Sequence, residues 1–331
     1  MLKRKKITVI YNRVGQLVKG MPNDLLADDD TVVMAQAVAD ALKTRFASVS
    51  LFELNEKNIK KLPVNNTDCF FNLCGGIGDM PQSEHLAVQL LEESGVPYTG
   101  SSAEAVALTT DKVATKEIFT KYCIPTPAYY VSQGADIEPD GIKLPVMVKP
   151  VAQDCSLGIS QKSVLRQWGG LKSRVEEVAK HYGGDVLVEE YISGREIRMS
   201  VLGNGSNAVV LPASELVFGK SYNHKFKIFD FAAKWLPETI NYQDTYAVAN
   251  PKLTSKICKL LADISLLTYQ ITGCHGYARI DIRLSPKGIP FVLEVNANPA
   301  IGPNDALVTS ARSAGISYPE LLERIVQLSW T

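Results

Sequence analysis

An aspartate, a glutamate and an asparagine near the C-terminus have the types and the spacing to bind a metal ion. Residues 276–283 read Gly-Tyr-Ala-Arg-Ile-Asp-Ile-Arg, and residues 291–299 read Phe-Val-Leu-Glu-Val-Asn-Ala-Asn-Pro. Both segments alternate polar and apolar residues, which is typical of a strand with one apolar face. Asp281, Glu294 and Asn296 lie on the polar faces. Oxygen ligands from two strands, with room left for phosphate oxygens and water, suit magnesium bound to a nucleoside triphosphate.

These two segments are expected to pair as an antiparallel hairpin. The sequence Ser285-Pro-Lys-Gly288 between them has turn chemistry, so the polar faces of the two strands would coincide. That face is predicted to hold Tyr277, Arg279, Asp281 and Arg283 from the first strand, and Val292, Glu294 and Asn296 from the second. A hairpin with one solvated face is the alternative. The arginines beside the acids favour the metal site.

A lysine at the end of another apolar strand is the next candidate. Leu144-Pro-Val-Met-Val-Lys-Pro150 predicts a strand from which Lys149 emerges beside a loop. Its ammonium group would contact phosphate or, alternatively, reach water from a sheet edge. The loop Ala152-Gln-Asp-Cys-Ser-Leu-Gly-Ile159 carries Ser156 and a glycine, and its backbone amides are predicted to close over phosphates. Asp154 in this loop adds a charge of the wrong sign.

Two further segments are candidates for nucleotide recognition. Val186-Leu-Val-Glu-Glu-Tyr-Ile-Ser-Gly-Arg-Glu196 leaves an apolar layer for a turn. Its acids are candidates to hydrogen-bond an adenine amino group and a ribose, or else form a solvated edge. Lys234 lies among aromatic residues in the long irregular stretch 221–246. Such a stretch favours an ordered loop with a role over one more surface lysine.

The composition of the whole chain narrows the class of protein. With 331 residues and 46% hydrophobic content, the chain can form a soluble globular protein of two or three domains. Its 35 basic and 35 acidic residues cancel, so no global field favours nucleic acid or an anionic membrane. We find no signal peptide and no apolar run of about 18 residues that would predict a membrane span. Six scattered cysteines and four histidines show no metal-ligand spacing, and the cysteines indicate reduced thiols in a cytoplasmic protein.

The elements that must position these residues begin with an alternation of strands and helices. Strands are predicted at 7–11, 49–53 and 69–73, with helices near 31–47 and 83–94. This alternation predicts a small doubly wound domain with a mostly parallel sheet. The glycine-bearing residues 72–78 lack the full Gly-x-Gly-x-x-Gly pattern, which argues against a dinucleotide site. Further helices are predicted at 103–122, 171–182, 251–272 and 318–328.

Taken together, these segments resemble the ATP-grasp superfamily and, within it, the D-alanine:D-alanine ligases. The resemblance runs from about residue 68 to the end of the chain. Its markers are Tyr98-Thr-Gly-Ser-Ser102, Asp111-Lys112 with Lys116, Val148-Lys-Pro150, Val188-Glu-Glu-Tyr-Ile-Ser-Gly-Arg-Glu196, Ala233-Lys234, Arg279-Ile-Asp281, Glu294-Val-Asn296 and Ala314-Gly-Ile-Ser-Tyr318. It implies an α/β ATP-grasp fold: an N-terminal doubly wound parallel-sheet domain at 1–104, then central and C-terminal α+β domains at 105–186 and 187–331 that enclose ATP.

The resemblance also implies roles for individual residues. Contacts to phosphate would come from Lys112, Lys149 and Lys234, in addition to the loop that carries Ser156. Adenine would be contacted by Glu189, Glu190, Tyr191 and Ile192, and the ribose by Glu196. Asp281, Glu294 and Asn296 would hold two magnesium ions, with manganese as an alternative. Arg279 and Lys234 would be catalytic, with Arg279 facing the reacting acyl phosphate.

The implied reaction joins a carboxylate to an amine. The carboxylate attacks the terminal phosphate of ATP, and the amine then captures the acyl phosphate to give an amide. Cations and metal ions suit this transfer because its catalysis consists mostly of positioning and charge neutralisation. Arg279 would also stabilise the oxyanion of the second step. The expected partners are small carboxylate and amine substrates, amino acids among them, and a homodimer is one open alternative for the oligomeric state.

The substrate positions depart from the ligase pattern. The acid of the first helix corresponds to the stretch Ala27-Asp-Asp-Asp-Thr31, from which we take Asp28 as the candidate. Trp235 replaces the tyrosine expected after the catalytic lysine, and Ala300 replaces a glycine. Asp305 stands where the family has the serine that holds the acceptor carboxylate. An aspartate would repel a carboxylate, whereas it would suit an amine or a hydroxyl.

The leading hypothesis is therefore a D-alanine:D-alanine ligase-like enzyme with an altered substrate. One alternative is a true D-alanine:D-alanine ligase of cell-wall synthesis with divergent loops. From another class, the alternative is an ATP-binding regulatory module without ligase activity.

Overall fold

Three β-sheets, surrounded by helices, form the framework of the protein. A computed structural model describes residues 2–132 and 141–331, without the side chains of residues 2 and 27–29. The α-helices in this part of the chain are α1 (Leu26–Lys43), α2 (Glu84–Glu93), α3 (Ala103–Thr110), α4 (Lys112–Lys121), α5 (Leu171–Tyr182), α6 (Phe231–Trp235), α7 (Ile240–Gln243), α8 (Ser255–Ile271), α9 (Ala306–Ser313) and α10 (Tyr318–Leu328). The strands are β1 (Lys6–Asn12), β2 (Ser48–Leu54), β3 (Cys69–Asn72), β4 (Tyr129–Ser132), β5 (Val146–Pro150), β6 (Val164–Leu165), β7 (Val186–Glu190), β8 (Arg195–Leu202), β9 (Val209–Val210), β10 (Ser214–Phe218), β11 (Thr245–Ala249), β12 (Tyr277–Leu284) and β13 (Pro290–Asn296).

The N-terminal sheet is parallel, as the alternation of strands and helices predicts. Its order is β2-β1-β3, and β1 pairs in parallel with both neighbours. Helix α1 begins at Leu26, five residues before the predicted start near Thr31, and packs on this sheet through Val38 and Leu42. The doubly wound arrangement is confirmed.

The central sheet is antiparallel and has the order β4-β7-β5-β6. Helix α5 packs on it through Leu171, Val175 and Val178, which recur at the spacing of one helical face. Strand β5 ends at Pro150, so Lys149 lies at the end of a strand, as predicted from the sequence. In the described part of the chain, no helix is long and apolar enough to cross a membrane.

The C-terminal sheet has six strands, in the order β11-β10-β8-β12-β13 with β9 paired to β8. Strands β12 and β13 form the predicted antiparallel hairpin, in which Asp281 is the partner of Glu294, and Arg279 the partner of Asn296. The prediction for Val292 is wrong. The pairing shifts between Asp281 and Ile282 so that Val292 pairs with Ile282 in the core. One extra residue in a strand reverses the faces beyond it.

The predicted helix over residues 103–122 is two helices. Helix α3 ends at Thr110, and α4 begins at Lys112. Asp111 between them is extended, with φ −82° and ψ 101°, and its carboxylate accepts hydrogen bonds from the amides of Val113 and Ala114. An aspartate in this conformation is a helix N-cap, so the second helix starts anew at Lys112.

Candidate active site

The two carboxylates of the predicted metal trio face each other across the hairpin. Asp281 is buried and accepts two hydrogen bonds from Arg279, at 2.8 Å from Nε and 3.0 Å from Nη2. Although burial raises it, Arg279 and then Arg198 hold the pKa of Asp281 below its ordinary value. Asn296 Oδ1 accepts from the amide of Asn298 at 3.0 Å. The register of the hairpin therefore brings all three predicted ligands to one face.

Glu294 differs from Asp281 because it makes no hydrogen bond or ion pair with the described residues. Burial raises its pKa, Lys112 opposes that shift, and Asp281 adds to it. In the described ranges, no three His, Cys, Asp or Glu side chains are grouped to hold a metal. The donor set here is two carboxylates and an amide. It fits a hard cation that takes its remaining ligands from phosphate or water.

Three lysines approach this face from the central sheet and helix α4. Lys149 lies 2.6 Å from Glu189 Oε1, and Lys116 lies 2.9 Å from Glu189 Oε2. Glu189 is 2% exposed. Burial raises its pKa, but Lys116 and Lys149 outweigh burial and hold the pKa of Glu189 at about 2. The third lysine, Lys112, has its own ion-pair partner, because its Nζ atom lies 3.1 Å from Asp154 Oδ1.

The loop after β5 lies on the long segment that contains Lys234. Ser156 donates its hydroxyl to the carbonyl of Phe229 at 2.7 Å, and Trp235 donates to the carbonyl of Cys155 at 2.9 Å. Lys112 binds the carbonyl of Gln153 at 2.5 Å. The negative charge of Asp154, which counted against a phosphate loop in the sequence, is thus neutralised by Lys112. The predicted phosphate loop is therefore held by the segment that contains Lys234 and by Lys112.

The four predicted adenine residues differ in their contacts. Glu189 is engaged by lysines, and Glu190 accepts from the amide of Lys143 at 2.8 Å. The hydroxyl of Tyr191 donates to the carbonyl of Lys227 at 3.3 Å. No acceptor among the described residues takes the amide of Ile192. Side-chain contacts from the two acids to adenine stay a prediction, and the backbone at Ile192 is free to bind a base.

Glu196, the predicted ribose residue, is ion-paired inside the C-terminal sheet. Its carboxylate lies 3.0 Å from Arg283 and 3.9 Å from Arg198. Arg283 also donates to the carbonyls of Gly194 and Lys227. The acid is therefore held by two cations at the edge of the site.

The predicted catalytic lysine and arginine share the end of the site that holds Asp305. The Nζ atom of Lys234 lies 4.8 Å from the ring centre of Trp235, and its charge acts on both Asp281 and Asp305. Arg279 acts on Asp305 as well. Lys234 on α6 and Arg279 on β12 thus both act electrostatically on Asp305.

Asp305 occupies the turn before α9 and accepts from the amide of Gly302 at 2.6 Å. Burial raises its pKa, the bond from Gly302 opposes that shift, and the charge of Asp30 on α1 adds to it. Ala300 lies partly buried just before this turn. The side chain of Asp28 lies outside the described residues. The charge of Asp30 thus disfavours a substrate carboxylate near Asp305, whereas the charges of Arg279 and Lys234 favour one.

Sequence reasoning missed three charged residues of the site. Lys116 was noted only as a family marker, and Arg198 and Glu84 were not considered. Glu84 lies at the start of α2, where burial and then Asp154 raise its pKa to about 8. For Lys116 a signal existed, because residues four apart share a helix face and Lys112 was already a candidate. Arg198 alternates with Glu196 along β8 in the same way.

The arrangement can neutralise and orient a polyphosphate. Ammonium groups lie on the central-sheet side, and oxygen ligands and a guanidinium group lie on the C-terminal hairpin. Charges of both signs on facing surfaces are what the transfer of a phosphoryl group to a carboxylate requires.

Comparisons with known proteins agree with this geometry. A family described as "D-ala D-ala ligase C-terminus" matches residues 131–327. The D-alanine--D-alanine ligase of Desulforudis audaxviator is 30% identical over 326 residues, which are 97% of this chain and 99% of that protein. An uncharacterized protein, y4sG, of Sinorhizobium fredii is 36% identical over 264 residues, 78% of this chain and 74% of that protein.

A solved structure has the same fold. The D-alanine--D-alanine ligase of Bacillus anthracis complexed with ATP superposes with a TM-score of 0.77 at 23% identity, over 98% of this chain and 97% of that one.

Proposed function

This chain belongs to the D-alanine:D-alanine ligase family, and on that premise we propose that it is an ATP-dependent carboxylate-amine ligase whose acceptor is not D-alanine. The observation that supports the reaction is the convergence of Lys112 and Lys149 with Arg279 and the hairpin acids. It is the arrangement expected of a site that transfers phosphate from ATP to a carboxylate.

In the proposed mechanism, each side of the site has its own task. Lys112, Lys149 and Lys234 bind the phosphates and orient the terminal phosphoryl group toward the substrate carboxylate. Asp281, Glu294 and Asn296 would hold magnesium, which neutralises phosphate charge when bound. Ile192 offers its backbone amide to the adenine.

The second step depends on Arg279. The amine attacks the acyl phosphate, the carbon–oxygen bond to phosphate breaks, and inorganic phosphate leaves as the amide forms. The guanidinium of Arg279 is fixed by two hydrogen bonds to Asp281. A fixed cation stabilises the developing oxyanion without reorganising during the reaction.

The acceptor is the part of the proposal that departs from the family. Asp305 places a negative charge where a serine is expected to hold a carboxylate, and the charge of Asp30 acts on it. We therefore propose an acceptor that presents an amine or a hydroxyl at this end. A cationic group would be attracted by both acids, whereas the carboxylate of D-alanine would be repelled.

A substrate panel tests the function. The protein is incubated with MgATP and pairs of D- and L-amino acids, amines and hydroxy acids, and the release of ADP and phosphate is measured. We expect release with a pair whose acceptor lacks a carboxylate at the Asp305 end. Release with D-alanine alone would show a true D-alanine:D-alanine ligase, and ATP binding without release from any pair would favour a regulatory module.

The variant Asp305→Ser tests the acceptor assignment directly. Removing the charge should raise kcat/KM for acceptors with a free carboxylate by roughly tenfold, and lower it for the cationic acceptor by a similar factor. Asn304→Ser, an exposed neighbour in the same turn, is the matched control and should change neither value. An unchanged acceptor preference in Asp305→Ser would refute the assignment.

Location and assembly belong to the same proposal. A ligase that consumes ATP and has reduced cysteines fits the cytoplasm, and we propose that location together with a homodimer. Fractionation and light scattering of the purified protein test these two points.

A further inference from the structure

A buried lysine outside the proposed substrate contacts lies behind the phosphate-binding lysines. Lys116 is on the same face of α4 as Lys112, four residues away. It is 1% exposed, against 5% for Lys112 and 7% for Lys149. An ammonium group this deep cannot reach a nucleotide in the cleft unless the surrounding residues move. Its role must therefore act through its neighbours.

The ammonium group of Lys116 makes its contacts inside the protein. Its ammonium group lies 2.9 Å from Glu189 Oε2 and donates to Thr126 Oγ1 at 2.6 Å. It also lies 5.3 Å from the ring centre of Tyr129. Lys149, in contrast, has Glu189 as its ion-pair partner, at 2.6 Å, and keeps further N–H groups for a ligand.

Thr126 connects this cluster to the strand that carries Glu294. Its hydroxyl donates to the carbonyl of Val292 at 2.9 Å, and the amide of Val292 donates to the carbonyl of Pro125 at 2.8 Å. Lys116 therefore lies where the central sheet meets β13. The cluster can fix Lys149 relative to the proposed metal ligands.

The charge balance of the cluster gives Lys116 its function. Lys149 and Glu189 alone would form a neutral pair and would attract phosphate weakly. With Lys116, one carboxylate is shared by two ammonium groups, and the cluster carries one net positive charge. Glu189 can then hold Lys149 in position without cancelling its charge.

We propose that Lys116 is a positioning residue that occupies half of the Glu189 carboxylate, so that Lys149 is both fixed and available as a cation for the phosphates of ATP. This inference rests on the proposed function, because it takes Lys149 as a phosphate contact. Burial lowers the pKa of Lys116, and the charge of Glu189 opposes that shift.

Charge compensation tests the proposal. Lys116→Met keeps the length of the side chain and removes its charge, and we expect the dissociation constant for MgATP to rise roughly tenfold to a hundredfold. In the double variant Lys116→Met/Glu189→Gln the net charge returns to the wild-type value, and glutamine still accepts a hydrogen bond from Lys149. Because Glu189 is also a predicted adenine contact, recovery is measured with magnesium tripolyphosphate, which has no base. Its binding should weaken in Lys116→Met and return to within roughly threefold of wild type in the double variant. Calorimetry with each ligand alone measures the constants.

Two further variants serve as controls. Lys121→Met makes the same change at an exposed position of the same helix and should leave MgATP binding unchanged. Lys116→Arg keeps the charge and should bind better than Lys116→Met. If Lys116→Met does not fold, Lys116→Gln, which also removes the charge, replaces it in both the single and the double variant.

Failure of the inference is distinguishable from failure of the function. Wild-type binding by Lys116→Met, or a double variant as weak as the single one, would overturn the role of Lys116. Absence of MgATP binding by the wild-type protein would instead overturn the proposed function.

Discussion

At the scale of single residues, several of the buried charges of the site are paired. Arg279 is paired with Asp281, and Lys112 with Asp154. Buried ions normally require such partners, because removal from water is costly. Glu294 makes no ion pair with the described residues, and burial raises its pKa. A buried carboxylate in this position gains most from a bound cation.

Glu294→Gln should abolish turnover. The amide supplies a weaker ligand without charge, so phosphate charge would remain uncompensated in the transition state, and we expect kcat to fall by a factor of roughly a thousand or more. ADP release with the active substrate pair measures the effect. Glu238→Gln makes the same change at an exposed position and should leave kcat unaltered. Full activity in Glu294→Gln would refute the metal assignment.

Glu189 predicts a dependence of stability on pH. Its pKa in the folded protein is about 2, below the ordinary value of 4.5, so its stabilising contribution is present above pH 4.5 and is lost as the pH falls towards 2. At pH 7, Glu189→Gln should lower the free energy of unfolding by about 3 to 5 kcal/mol, because two buried ammonium groups lose their partner. The difference from wild type should shrink between pH 4.5 and 2.

Denaturant titrations across that pH range measure this difference. The exposed Glu93→Gln variant provides the comparison and should show a small difference at every pH. A Glu189→Gln difference that stays constant down to pH 2 would contradict the ion-paired assignment.

At the scale of elements, the break at Asp111 decides where two of the lysines point. Because α4 starts anew at Lys112, this residue occupies its first turn, and Lys116 follows one turn later on the same face. A continuous helix through residues 103–122 would place both side chains differently. The N-cap is therefore part of the site as well as of the fold.

Asp111→Ala separates these two roles. Loss of the cap should cost about 1 kcal/mol of stability, and Ser102→Ala, which removes the cap of α3, should cost a similar amount. Only Asp111→Ala should also raise the KM for ATP, by roughly threefold to tenfold, because Lys112 loses its fixed starting position. Equal KM values in the two variants would show that the cap has no role in ATP binding.

At the scale of the whole molecule, the two ends of the chain share one core. Leu307 and Val308 of α9 and Ile325 of α10 pack in the same cluster as Val38 and Leu42 of α1. The segment that carries Asp305 is held beside α1, where the amide of Ile301 contacts the sulfur of Met34 at 3.2 Å. The division at residues 104 and 186 stays a prediction, and α9 contacts strands β8, β10 and β11 of the C-terminal sheet as well as the core that it shares with α1.

Ile325→Ala tests this shared core. Ile325 is fully buried, so the variant should lose about 2 to 5 kcal/mol of unfolding free energy although it lies far from the first helix in sequence. Val33→Ala on α1 provides the control, since Val33 is 68% exposed, and should cost less than about 0.5 kcal/mol. Chemical denaturation measures both values. A small effect of Ile325→Ala would contradict the packing of α10.

Local sequence patterns were sufficient to predict much of the secondary structure of this protein. Helices α5 and α10 begin and end at the predicted residues, and the hairpin pairs Asp281 with Glu294. Periodicity, turn residues and caps act over a few neighbours along the chain, so the sequence by itself determines them. It also determined the parallel N-terminal sheet and the residue types of the proposed ATP site.

Other features depended on surfaces that meet only in the folded chain. The sharing of Glu189 by Lys116 and Lys149, and the neutralisation of Asp154 by Lys112, join residues from separate elements. The shift that moves Val292 into the core is set by packing against β12, because alternation along β13 alone places it on the polar face. Charge pairing and side-chain packing depend on distance in space, which local periodicity does not encode. The tertiary structure alone therefore decided which charges remain free to act on a substrate.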